Sequence, residues 1–220
     1  MLLPDLRNHG KSPHNALMDY PAMAEDLIEL LDASAIPQAH VIGHSMGGKA
    51  AMRLALTHPA RVRSLVAVDI APRAYDRKHD RIIEALLGLD LSKFRTRAEI
   101  ERALEPSIPE PGVRRFLLKS AAPNTAGGFQ WQMGIREISD NYDRLGEAVE
   151  ADAPFLGPAL FVRGEASDYV TPGDEPRIRQ MFPAARFAVL PGAGHWAHAD
   201  NPDGFQTAVE AFLSKAGQVS

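Results

Sequence analysis

The chain has 220 residues, a formal net charge of -4 and 45% hydrophobic residues, which suits one globular domain with a real core and excludes a disordered tail or short disulfide scaffold. It contains no cysteine, so disulfides, zinc-thiolate sites and a cysteine nucleophile are excluded, in agreement with a reducing, cytoplasmic setting. No run of lysine and arginine offers a footprint for nucleic acid or an anionic membrane, and no apolar stretch approaches the ~18 to 20 residues of a membrane span.

In chain order, Met1-Leu2-Leu3-Pro4-Asp5 reads as the end of a buried strand, followed by a loop of small and polar residues to Pro13. Met23, Leu27, Leu30 and Leu31 recur at helical spacing, predicting an amphipathic helix over 19–33 with Asp19 as N-cap and Pro21 in its first turn. His40-Val41-Ile42-Gly43 predicts a short strand that runs through a sharp turn into a helix from Met46 to about Thr57. Strand, turn and helix in that order are the start of a parallel βαβ unit. Ser64 to Asp69 is a continuous apolar run ending in an acid, of the kind found in a strand buried on both faces, and Ala159 to Val162 and Arg186 to Leu190 predict two further strands.

Residues 73–152 differ in texture: they carry charged amphipathic patterns and little strand signal, and predict a helical insertion. The expected division is therefore a core of residues 1–72 and 153–220 with a helical lid at 73–152. A helix over 203–215, bearing Phe205, Val209, Phe212 and Leu213, closes the core.

Gly43-His44-Ser45-Met46-Gly47 matches the nucleophile-elbow pattern G-x-S-x-G, in which a turn tight enough to demand small neighbours presents a serine above a strand. An activated serine needs a base. Gly194-His195-Trp196 follows the last predicted strand, which suits the chain order serine, acid, histidine. His195 is the expected base, and His44 beside the nucleophile is expected to shape the elbow. His198 could suggest a metal pair with His195, but no H-E-x-x-H frame or third ligand accompanies it. Two aspartates compete for the orienting acid. Asp69 ends a central strand and offers a stiff platform, which favours it; Asp168 lies in the loop after the strand that leaves the insertion. Asp168 stands four residues after Gly164, where three is the commoner spacing.

With these residues assembled, the chain resembles the α/β-hydrolases, and among them the small YbfF-like acyl esterases. The matching segments are Asp5-Leu6-Arg7-Asn8-His9-Gly10-Lys11-Ser12, the elbow, Val68-Asp69-Ile70-Ala71-Pro72, Ser167-Asp168-Tyr169-Val170 and Gly194-His195-Trp196-Ala197-His198. The resemblance implies an α/β fold with a mostly parallel central sheet, helices on both faces and a helical lid. It also implies cleavage of ester or thioester acyl bonds of small substrates, without a cofactor. The D-I-x-P segment is typical of that group and the position of Asp168 need not be acidic, which again supports Asp69.

Met46 N–H is the expected oxyanion donor, and Phe129, Trp131 and Met133 in the insertion are candidate acyl contacts, with packing inside the lid as the alternative for each. Family members carry an H-G-x-x-G-like loop, the source of the second oxyanion donor, within roughly forty residues that precede the segment matched here. On that comparison the chain is expected to lack N-terminal strands and to be poorly soluble or oligomeric. Rival readings are a C–C bond hydrolase of the same fold and a catalytically silent interaction module. Dehalogenases and epoxide hydrolases are disfavoured, because they place an aspartate where Ser45 stands.

Overall fold

The structure, a computed structural model, describes residues 1–217. In chain order its elements are α1 (Tyr20–Ala33), β1 (Ala39–His44), α2 (Met46–Thr57), β2 (Val62–Val68), α3 (Asp80–Leu87), α4 (Arg97–Leu104), α5 (Pro111–Leu117), β3 (Ala121–Pro123), β4 (Phe129–Trp131), α6 (Ile135–Asp140), α7 (Tyr142–Gly146), β5 (Ala159–Gly164), α8 (Glu175–Met181), β6 (Ala185–Leu190), α9 (Ala197–Asp200) and α10 (Pro202–Ala216). The chain divides into two compact units, one formed by Met1–Asp19 with Asp76–Gly146 and the other by Tyr20–Tyr75 with the chain from Glu147 onward.

The second unit is built on a four-stranded sheet of order β1-β2-β5-β6. All three pairings are parallel, with Gly43 opposite Ala67, Ala67 opposite Phe161 and Phe161 opposite Phe187. The continuous apolar runs make sense in this setting, because alternate residues of one strand feed two different cores. Leu65 and Ala67 of β2 and Ala159 and Phe161 of β5 face a cluster completed by Ala51, Met52 and Leu54 of α2 and Ile178 of α8. Val66, Val68, Leu160 and Val162 face the other, completed by Val209 and Phe212 of α10. This is the doubly covered parallel sheet expected of an α/β-hydrolase.

The first unit is mostly helical. Its core gathers Ile83, Leu86, Ile100, Leu104, Ile108 and Leu118, and α4 starts with a capping box in which Thr96 and Glu99 satisfy each other's backbone donors. Three features depart from the sequence expectation. Residues 1–6 form no strand, and Met1 and Leu3 are exposed. By contact, residues 1–19 group with 76–146: Asn8 accepts from Gly134 N–H at 2.8 Å and Asn141 Nδ2 donates to the Ala16 carbonyl at 2.8 Å. The insertion also contains a small antiparallel hairpin, β3 with β4. Its strands are three residues long, too short for alternation to register in a sequence, and the positive φ angles of Gly127 and Gly128 turn the chain between them.

Candidate active site

Ser45, Asp69 and His195 all lie just beyond the C-terminal ends of strands in the parallel sheet, where the loops of such sheets converge. Ser45 follows β1, and its N–H bonds the Val68 carbonyl at the end of β2 at 3.0 Å. Asp69 follows β2, and its N–H bonds the Val162 carbonyl of β5 at 2.7 Å. Each residue is thus fixed to the neighbouring strand by its own backbone. Ser45 has φ 52° and ψ -121°, a conformation that L-residues rarely adopt and that a tight elbow imposes. Gly43 lets the turn close: a Cβ there would sit 2.1 Å from the Gly47 carbonyl oxygen. Asp69 also has positive φ, 49°, so two of the three residues are held in backbone conformations that the surrounding strands must enforce.

The side chains form a hydrogen-bonded line. His195 Nδ1 lies 2.8 Å from Asp69 Oδ2 and Nε2 lies 3.1 Å from Ser45 Oγ. A carboxylate only accepts, so Nδ1 carries the proton and Nε2 presents its lone pair to the serine hydroxyl. Asp69 is fully buried. Besides His195 it accepts from Gly164 N–H at 3.0 Å and, through Oδ2, from Ser167 Oγ. Three donors compensate the burial of a carboxylate that would otherwise be costly. Gly164 permits the approach of the histidine loop, since a Cβ there would meet the Gly194 carbonyl oxygen at 2.2 Å.

Asp168 is elsewhere. It is exposed, and its backbone carbonyl accepts from Arg73 at 3.1 Å. Ser167, which sequence reasoning missed, occupies the position three residues after Gly164; that spacing was the available signal. Met46 opens α2, so its N–H lies outside the helical i to i-4 ladder. His44 stands at the flank of the base, 4.8 Å between ring centroids, and burial lowers its pKa to about 4, so it is neutral at physiological pH. Phe129, Trp131 and Met133 pack on the apolar cluster of the helical unit. Among the described residues no group of three or more potential metal ligands occurs.

A hydroxyl, an imidazole and a buried carboxylate in hydrogen-bonded series above a parallel sheet are the arrangement of a serine hydrolase on an α/β-hydrolase scaffold. The chain belongs to that family: the pattern of the Alpha/beta hydrolase family matches residues 1–208. It is 40% identical over 211 residues to Esterase YbfF of Escherichia coli strain K12, covering 96% of this chain and 81% of that one. It is 36% identical over 220 residues to the sn-1-specific diacylglycerol lipase ABHD11 of Mus musculus, covering 97% and 71%. Among solved structures it is similar to a marine microorganism esterase, with a TM-score of 0.92 and 41% identity over 94% of this chain and 82% of that one.

Proposed function

We propose that this chain is a serine carboxylic ester hydrolase in which Ser45 is the nucleophile, His195 the general base and acid, and Asp69 the orienting carboxylate. The observation that carries the assignment is the line from Ser45 Oγ through both nitrogens of His195 to Asp69 Oδ2. Oγ attacks the acyl carbon while Nε2 takes its proton, and the carbonyl π pair moves onto oxygen, where Met46 N–H donates to it. Collapse re-forms the carbonyl and expels the alcohol oxygen, which leaves with the proton from Nε2. Water then attacks the acyl-serine by the same route, giving the acid and free Ser45. A thioester would follow the same steps with a thiol as leaving group. The relatives named esterase and diacylglycerol lipase support small carboxylic esters as the substrate class. No step calls for a cofactor.

Hydrolysis of p-nitrophenyl acetate and labelling by a fluorophosphonate probe test the reading. Ser45→Ala is expected to abolish both with an unchanged circular dichroism spectrum, because the hydroxyl makes no capping bond to α2. Turnover of the variant at a rate comparable with the parent chain would overturn it.

A further inference from the structure

The imidazole of His195 is in contact with a second group that the proton relay does not use. The ring of Tyr169 is stacked on it, with centroids 3.8 Å apart and planes inclined by 23°. Behind Tyr169 lies the ring of Tyr75, at 5.5 Å and 27°. The Tyr75 hydroxyl donates to the Tyr169 carbonyl at 2.6 Å and accepts from Ala71 N–H at 2.8 Å. It therefore ties the loop that carries Ser167 and Tyr169 to the segment that carries Asp69. Burial raises the Tyr75 pKa to about 12, so the phenol keeps the proton that this bridge needs. Arg73 also packs on Tyr75: its guanidinium lies 4.1 Å from the Tyr75 ring centroid and is paired with Asp174 at 3.0 Å.

We propose that Tyr169, braced by Tyr75, is a positioning residue for the reaction: its ring face fixes the plane of His195 and stabilises the imidazolium that forms each time Nε2 holds a proton. This rests on His195 being the base. The physical ground is the negative face of an aromatic ring, which attracts a cation above it and does little for a neutral imidazole. That preference is differential between ground and transition states, and so acts on rate rather than on substrate binding. Among the described residues, Asp69 faces His195 at 2.8 Å and favours the same charged form, and His44, neutral over the working range, stands beside it with His198 at 5.0 Å from the His44 ring. The ring of Tyr169 lies more nearly parallel to the base, at 23°, than that of His44, at 44°.

The experiment replaces Tyr169 in the full chain with Phe, with p-cyanophenylalanine and with Leu, and follows two readouts. One is the protonation of His195 by NMR of its ring protons, with His195→Gln to assign the signal. The other is the pH profile of kcat/KM for p-nitrophenyl acetate. Phe keeps the electron-rich face and is expected to leave both within about twofold of the parent. The cyano variant keeps the shape but withdraws density from the face. It is expected to move the His195 midpoint and the acid limb of the profile to lower pH by about half a unit and to lower kcat three- to tenfold, with KM unchanged. Leu is expected to do at least as much. A cyano variant that matches the Phe variant in both readouts overturns the proposal, and this arm holds if Leu fails to fold. A His195 midpoint that moves as expected while His195→Gln retains full esterase activity would instead overturn the assignment of the base.

Discussion

His44 donates from Nε2 to the backbone carbonyl of His195 at 2.7 Å. A carbonyl can only accept, so Nε2 holds the proton, and the residue before the nucleophile thereby fixes the main chain of the residue that activates it. Burial is the largest cause lowering the His44 pKa from 6.5 to about 4. The folded chain thus binds this proton more weakly than the unfolded chain. The associated stability is full above about pH 6.5 and is lost as pH falls towards 4, a loss on the order of 2 kcal/mol for a partly accessible ring. His44→Gln keeps an amide donor and removes the titration. Urea unfolding at pH 4.5 and 7 should show a smaller loss on acidification in the variant than in the parent, and an equal loss would refute this role.

Lys49 offers the opposite pH range. Its side chain is buried among Tyr20 and Tyr75, and Nζ donates to the Glu147 carbonyl at 2.5 Å. Burial, the largest cause, lowers its pKa to about 8 from 10.5. The fold therefore disfavours the ammonium, and the parent gains stability from about pH 8 to 10.5 as Lys49 sheds its proton. Lys49→Met is expected to flatten that rise in a comparison of melting temperatures at pH 7.5 and 10. A rise of equal size in both proteins would count against it.

The elbow stores strain that a substitution can release. Ser45 at φ 52° and ψ -121° occupies a region open to glycine at little steric cost, whereas alanine retains the Cβ. Both variants lack the hydroxyl and should be inactive, but Ser45→Gly should exceed Ser45→Ala in stability by about 1 kcal/mol, after glycine's greater chain entropy is subtracted. Chemical denaturation of the two inactive proteins measures this directly. Equal or reversed stabilities would mean that the turn is not strained.

Much of this architecture was legible in the sequence because burial on both faces of a parallel sheet leaves uninterrupted apolar runs. β2 and β5 are recoverable on that ground from Leu65 to Val68 and Ala159 to Val162, whereas the edge strand β6, with Val189 exposed, shows only as the short apolar segment Phe187 to Leu190. Ser45 and His195 were legible because the elbow restricts its neighbours to glycine and the chain order restricts the base. In the sequence, Asp69 is favoured for its place at the end of a central strand, but Asp168 stays a rival. Asp69 and Asp168 both follow strands, and it is backbone direction, set by the bonds of Asp69 N–H to Val162 and of Gly164 N–H to Asp69 Oδ1, that puts the buried carboxylate beside the imidazole. Ser167, Tyr75 and Tyr169 were illegible as site residues for a related reason. A hydroxyl or aromatic ring acquires its role from partners that are distant in the chain, 98 positions for Ser167 and Asp69 and 94 for Tyr75 and Tyr169. Between α6 and α7 the helical run breaks at Asn141, a buried side chain that donates to the Ala16 and Glu137 carbonyls, a competition with helix backbone that no periodicity reveals.

The two aspartates yield the sharpest comparison. Asp69 is fully buried and accepts from Gly164 N–H, Ser167 Oγ and His195 Nδ1, whereas Asp168 is exposed and engages Arg73 through its backbone carbonyl. In Asp69→Asn, an amide oxygen that keeps the Gly164 bond turns the NH2 group towards Ser167 and His195. The imidazole must then accept at Nδ1 and carry its proton on Nε2, where it can no longer take one from Ser45. A fall in kcat of roughly 10³- to 10⁴-fold is expected, with KM little changed. Asp168→Asn alters neither the backbone carbonyl nor any donor to Asp69, and should stay within about twofold of the parent, as surface substitutions usually do. Ser167→Ala removes one of three donors and leaves Gly164 N–H in place, so it should fall between them, with a loss of about tenfold. Steady-state kinetics on the three variants, each checked for folding by circular dichroism, decide the matter. A severe Asp168→Asn beside a mild Asp69→Asn would transfer the orienting role to the exposed loop.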